Sequence, residues 1–113
     1  MEKDDLVFIS HILESIDKIE RYVSGLTGHD FANNDLVQDG VIRNFEIIGE
    51  ATKHLSKDFR QKHIDIPWKK IAGMRDILIH DYLGIDIFSV WDTIEKDLPE
   101  LKSILQRIIN AAN

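Results

Sequence analysis

One short stretch of the sequence concentrates side chains that can hold a phosphate and move a proton. It contains Arg75, Asp76, His80 and Tyr82. Asp76 and His80 are four residues apart, so on a helix they share a face, where the carboxylate can accept the imidazole N–H and raise the basicity of the ring. A guanidinium offers paired donors to a phosphate, and an imidazole can take the proton of a ribose 2′-hydroxyl or protonate a leaving oxygen. The pattern predicts metal-free cleavage of RNA.

The spacing of Arg75 and His80 bears on how such a site is assembled. Five residues correspond to about 140° around a straight helix, so the two side chains diverge within one helix. They meet only if the helix ends between them or if a second copy of the chain contributes. A composite site in a dimer satisfies the geometry. The spacing alone is common by chance, and Tyr82 at a helix end is also compatible with ordinary packing.

The charge distribution places a basic segment directly before this stretch. The net charge is -6 overall, yet residues 53–75 carry seven basic and two acidic side chains. The flanking segments 1–52 and 76–113 are both acidic. We expect an anionic ligand to bind at this basic segment, with Lys69 and Lys70 as candidate contacts. The alternative is a solvated stretch balanced by acidic neighbours in space.

A second charged pattern is a ladder along one predicted helix face, formed by Arg43, Glu46, Glu50 and Lys53. It is typical of an exposed row of ion pairs. Functionally, Arg43 and Lys53 are candidates for lining an RNA groove beside Arg75. The remaining histidines lack metal-ligand spacing, so we expect surface or loop positions and no metal site. The tryptophans, Trp68 and Trp91, fit core or dimer contacts better than base stacking.

Helical spacing of apolar residues runs through most of the chain. It predicts a first helix behind the possible caps Asp4 and Asp5, ending near Gly25, and a polar loop over 27–34. A second long helix follows, and then 57–65 show little periodicity. A third helix starts at Pro67 and runs toward His80, and a fourth starts after Asp86. Pro99 predicts a kink or a split before a last helix. The fold class is therefore all-α, a bundle of four to five helices.

Length and composition restrict the class of protein further. The 113 residues are 43% hydrophobic and contain no Cys. This length favours one domain over 1–113. The absence of Cys excludes disulfides and thiolate chemistry. The longest apolar run, Leu6 to Ile9, is far shorter than the roughly 20 residues of a membrane span. We expect a cytoplasmic protein without membrane contact.

The sequence resembles the HepT toxins of the HEPN superfamily over nearly its whole length. The resemblance rests on 41–51 (VIRNFEIIGEA), 66–82 (IPWKKIAGMRDILIHDY), 90–93 (VWDT) and 97–101 (DLPEL). It implies a helical-bundle homodimer with metal-independent endoribonuclease activity, no cofactor, and tRNA or mRNA as substrate. The motif of Arg, four residues, His, one residue and Tyr is intact.

The resemblance also implies residue roles and a partner. His80 would be the general acid/base, Arg75 would hold the scissile phosphate, and Asp76 would support them. Tyr82 would receive AMP from a cognate nucleotidyltransferase antitoxin that forms a hetero-oligomer with the toxin. The alternative is a non-catalytic helical subunit that binds a nucleotide or substrate for a nucleotidyltransferase. The intact Arg75, His80 and Tyr82 favour the nuclease, since a binding subunit has no need of an acid/base histidine.

Overall fold

The computed structural model describes residues 2–73 and 86–112, and every regular element in those ranges is helical. This confirms the predicted all-α bundle, while its assembly as a dimer and the single domain over 1–113 remain predictions. The elements are α1 (Glu2–Val23), α2 (Gly28–Ala32), α3 (Asp35–Lys53), α4 (Lys57–Lys62), α5 (described over 68–73), α6 (Ile87–Asp92), a π-helical turn (Thr93–Asp97) and α7 (Leu98–Ala112).

Helices α1 and α3 pack against each other in opposite directions. The ring of Tyr22, near the end of α1, lies against Gly40 near the start of α3, where an added Cβ would be 3.1 Å from it. At the other end, Phe8 of α1 stacks on His54, which follows the last residue of α3. The two long helices therefore form the scaffold of the bundle. A groove between them can be lined by side chains of both helices.

The core lies between α1, α3 and α7. An isoleucine row of α1 is fully buried against the apolar face of α3, and α7 adds a leucine row from the other side. Burial of one such side chain stabilises the fold by roughly 1.5–3 kcal/mol. The principal members are Ile9, Ile12, Ile16, Ile19, Val41, Phe45, Ile48, Leu98, Leu101 and Leu105.

The start of α1 differs from the prediction. Asp4 and Asp5 do not cap the helix, because α1 begins at Glu2 and both residues lie in its first turn. Asp5 is buried and accepts hydrogen bonds from Ser56 instead. The end of α1 at Val23 agrees with the prediction, since Gly25 adopts the left-handed φ of 77° that commonly terminates a helix.

Two short helices form where we predicted a loop and an aperiodic stretch. In α2, the hydroxyl of Thr27 accepts the N–H of Asp30, and the Asp30 carboxylate accepts the N–H of Thr27. In α4, the Ser56 hydroxyl accepts the N–H of Phe59. Each helix buries one aromatic ring, Phe31 or Phe59. Helices of five and six residues are too short to display a periodic apolar face.

The irregularity predicted at Pro99 takes the form of a wide turn in an uninterrupted helical segment. The backbone N–H of Leu98 donates to the carbonyl of Thr93, five residues earlier. Pro99 has no N–H and its ring would clash with the carbonyl four residues before it in a regular helix. Because the π-helical turn absorbs this misfit, the segment does not split.

Candidate functional site

The motif residues Arg75, Asp76, His80 and Tyr82 lie outside the described residues, which end at 73 and resume at 86. Their predicted roles and their predicted meeting across a dimer therefore remain predictions. The described structure defines the helix that precedes the motif and the surfaces formed by the other candidate residues.

The start of α5 is anchored in the core. The carbonyl of Pro67 accepts the N–H of Ile71 at 3.1 Å, so Pro67 lies at the beginning of the helix as predicted. Trp68 is buried, and its indole N–H donates to the carbonyl of His63 at 3.0 Å. These contacts fix the first turn of α5, and Arg75 follows two residues after Gly73, where the first described range ends.

Both tryptophans serve packing. Trp68 lies 6.1 Å from Phe59, between ring centroids. Trp91 is half-buried against Phe31, at 5.3 Å, and lies over Gly28, where an added Cβ would be 3.1 Å from the indole nitrogen. The prediction that they make structural contacts is confirmed.

The charge ladder on α3 is a surface feature. The guanidinium of Arg43 lies 3.7 Å from the carboxylate of Glu46, and the Arg43 side chain is 72% exposed. Glu50 and Lys53 are exposed as well. Lys53 lies in the last turn of α3, where a positive charge interacts favourably with the helix dipole. An exposed ion pair of this kind contributes about 0.5 kcal/mol, so the ladder contributes little to stability and leaves its charges accessible.

Three residues of the ladder, Arg43, Glu46 and Glu50, line an open groove of about 420 Å³ between α1 and α3, here called the α1/α3 groove. Its lining comprises Phe8, His11, Arg43, Glu46, Ile47, Glu50, Ala51 and His54. His11 and His54 are exposed, as the sequence predicted, but both of their rings contact Phe8. This clustering was missed because the two histidines are far apart in the chain and become neighbours only when α1 and α3 pack.

The predicted RNA contacts in the basic segment occupy a different surface. Lys69 and Lys70 are both exposed. The ammonium of Lys70 lies 3.6 Å from the carboxylate of Asp97 and lines a small cleft of about 90 Å³ beside α7. Asp97 thus balances part of the positive charge of the basic segment, in line with the alternative interpretation. Arg43 and Lys70 line separate concavities, and their binding of RNA stays a prediction.

Within residues 2–73 and 86–112, no group of three or more His, Asp or Glu side chains is arranged to hold a metal ion. In the same ranges, no helix has the length and apolar character needed to cross a membrane.

Comparison with known proteins identifies the family. Residues 12–108 match the HepT-like family, described as ribonuclease HepT-like, and the chain belongs to this family. The match includes the α1/α3 groove residues from Arg43 to His54 and the segment from Arg75 to Tyr82.

Similar proteins come from archaea and bacteria. A protein of Methanocaldococcus jannaschii, named for gamma-glutamylcyclotransferase and a proposed RNase, is 48% identical over 96% of this chain and 49% of its own length. The chain thus spans about half of that relative. A proposed RNase of Caldanaerobacter subterraneus subsp. tengcongensis is 42% identical over 90% of this chain and 91% of its own. A probable ribonuclease HepT of Thermococcus cleftensis is 38% identical over 96% of this chain and 98% of its own length. No solved structure gives a significant match.

Proposed function

We propose that this protein is the toxin of a toxin–antitoxin pair and acts as a metal-independent endoribonuclease. One observation carries the proposal: the family match spans a segment in which Arg75, His80 and Tyr82 keep the complete spacing of the motif. The RNase names of relatives that align with nearly the whole chain support the same activity. The substrate is RNA, either tRNA or mRNA, in the cytoplasm.

The chemistry follows from the two side chains. Neutral His80 takes the proton of a ribose 2′-hydroxyl, and the oxygen then attacks the adjacent phosphorus. The bond from phosphorus to the 5′-oxygen breaks, the His80 imidazolium returns its proton to that oxygen, and a 2′,3′-cyclic phosphate remains. The Arg75 guanidinium holds the phosphate oxygens while charge builds up on them. Asp76, four residues before His80, orients the imidazole.

We further propose that two copies of the chain assemble the site. Arg75 and His80 are about 140° apart around a straight helix, so one helix does not direct both at one phosphate. Antiparallel contact of two such helices in a homodimer supplies Arg75 from one subunit and His80 from the other.

Tyr82 provides the means of neutralisation. A cognate nucleotidyltransferase transfers AMP to its hydroxyl, with pyrophosphate leaving from ATP, and forms a hetero-oligomer with the toxin. The attached phosphate then lies two residues from His80 in sequence and competes with RNA for Arg75. The modified protein is thereby prevented from cleaving.

The test is cleavage of RNA in excess EDTA by protein whose mass excludes attached AMP. We expect wild type to release products with 2′,3′-cyclic phosphate ends, and His80→Ala and Arg75→Ala to lose the activity by at least a hundredfold, in line with about 10²–10⁴ for acid–base catalysis. His29→Ala is the matched control, since His29 is an exposed histidine of α2 outside the motif. Equal cleavage by wild type and His80→Ala would refute the mechanism. Unmodified protein that cleaves no RNA would instead favour the nucleotide-binding subunit.

A further inference from the structure

The α1/α3 groove has the size and the lining of a site for one flat, polar-edged ligand. Its volume of about 420 Å³ falls within the range of about 300–1,000 Å³ that is usual for small-molecule sites. Phe8, Ile47 and Ala51 provide the apolar part of the lining. The rest is polar and carries both signs of charge, which suits a heterocycle better than a chain of phosphates.

Aromatic side chains in the groove are already arranged as a stack. The rings of Phe8 and His54 lie 5.2 Å apart at an interplanar angle of 16°, and His11 meets Phe8 edge-on at 6.1 Å. His54 is exposed. Nucleobases stack on aromatic side chains of this kind irrespective of sequence. The stack therefore supplies affinity for a base.

Arg43 and Glu46 add a polar pattern that distinguishes the bases. Their charged groups are 3.7 Å apart on the groove lining, so a donor pair and an acceptor pair lie side by side. The Watson–Crick edge of guanine presents O6 as acceptor, followed by the N1–H and the N2 amino group as donors. A guanidinium at O6 and a carboxylate at the two N–H groups match this order. Adenine, cytosine and uracil do not offer two adjacent donors.

We infer that the α1/α3 groove binds a guanine base of single-stranded RNA, stacked on the exposed His54 ring beside Phe8 and recognised by Arg43 and Glu46. The inference rests on the proposed ribonuclease function and extends it by naming the base that the enzyme holds. RNA with an unpaired guanine is then bound more tightly than RNA without one, because that base occupies the groove.

The experiment is NMR titration of the full-length protein with GMP, AMP, CMP and UMP, following the imidazole C–H signals of His11 and His54. Ribose 5-phosphate is the control ligand, because it carries the sugar and phosphate without a base. We expect GMP to shift both histidine signals and to bind at least tenfold more tightly than the other nucleotides. Ribose 5-phosphate is expected to leave the signals unchanged.

Variants separate base reading from stacking. Glu46→Gln replaces one acceptor by a donor that opposes the guanine edge, and we expect it to weaken GMP binding by about tenfold. His54→Ala, at an exposed site, is expected to weaken all four nucleotides by a similar factor. His29→Ala should bind GMP as wild type does, and circular dichroism verifies that each variant is folded.

The outcomes distinguish the two proposals. Equal binding of all four nucleotides, or unchanged GMP binding by Glu46→Gln, would overturn the guanine site. If the protein cleaves RNA but no nucleotide shifts the signals of His11 and His54, the guanine site is refuted and the nuclease function is retained. GMP binding as expected in a protein that cleaves no RNA would support the site and refute the nuclease.

Discussion

Asp5 and Ser56 join the first turn of α1 to the N-cap position of α4 across 51 residues of sequence. The Ser56 backbone N–H donates to one carboxylate oxygen of Asp5 at 2.7 Å, and the Ser56 hydroxyl donates to the other at 2.8 Å. The same hydroxyl accepts the N–H of Phe59 at 3.1 Å. Asp5 is only 3% exposed, so these bonds satisfy a carboxylate that is largely withdrawn from water. They determine where α4 begins, and with it the path of the chain toward α5.

Asp5→Ala should therefore lower the free energy of unfolding by about 2 kcal/mol, because hydrogen bonds to a buried charged group are lost and Ser56 loses its acceptor. Urea denaturation at fixed protein concentration measures the change. Asp4→Ala is the matched control, since Asp4 is exposed in the same turn. Equal effects of the two substitutions would show that the Asp5–Ser56 pair contributes nothing specific.

Asp30 links the stability of α2 to acid pH. Hydrogen bonds from the Thr27 backbone N–H and then from the Thr27 side chain hold the pKa of Asp30 below its ordinary value of 3.8. A lowered pKa means that the stabilisation is present above 3.8 and is lost as the pH falls through the lowered value. Asp30→Asn should thus be less stable than wild type at neutral pH and approach it in acid. Thermal unfolding between neutral and acid pH tests this, and a constant difference would contradict it.

Lys102 provides the corresponding test at alkaline pH. Hydrogen bonds to Glu20, at 2.7 Å, and to Asp17, at 3.1 Å, raise the pKa of Lys102 above 10.5. A raised pKa means that the stabilisation is complete below 10.5 and is lost as the pH rises through the raised value. Because the partners are partly exposed, Lys102→Met should cost only about 1 kcal/mol at pH 7.

The control for Lys102 is Lys96→Met, which removes a more exposed ammonium 3.8 Å from Asp92. We expect this change to alter unfolding by less than about 0.5 kcal/mol. Equal losses of stability in both variants, or a Lys102→Met deficit that persists unchanged above the raised pKa, would show that the ion pairs of Lys102 do not stabilise the contact between α1 and α7.

Growth of a bacterial host tests the proposed toxin and its neutralisation together. Induction of the wild-type chain alone should arrest growth, and His80→Ala should restore it. Tyr82→Phe should remain toxic and resist rescue by the cognate nucleotidyltransferase, because it lacks the hydroxyl that accepts AMP. Rescue of Tyr82→Phe to the wild-type level would exclude modification of Tyr82 as the mode of neutralisation.

The long helices could be predicted from the sequence because each buries a continuous apolar row. Ile12, Ile16 and Ile19 have the spacing of one helix face, and all three are fully buried. The short helices α2 and α4 could not be predicted in this way, because each has one buried ring and depends on its cap. The capping pair of Thr27 with Asp30 and the N-cap residue Ser56 were the available local signals.

The same distinction between local and long-range patterns applies to the candidate site. A motif of local spacing, such as Arg75 with His80, can be read from the sequence. The grouping of Phe8 and His11 with Glu46 and His54 requires knowledge of how α1 and α3 align. Likewise, Lys70 reads as a free cation in the sequence, but its pairing with Asp97 depends on the packing of α5.

The π-helical turn over Thr93–Asp97 sets the angular phase between α6 and α7. Such a turn holds one residue more than a regular turn, which rotates the following helix by roughly 100° relative to an unbroken one. This offset lets α6 face α2 through Trp91 while α7 faces α1 through Lys102. One continuous helical segment thereby packs against two different helices, α2 and α1. Any change in the number of residues in this turn would bring one of the two faces out of alignment.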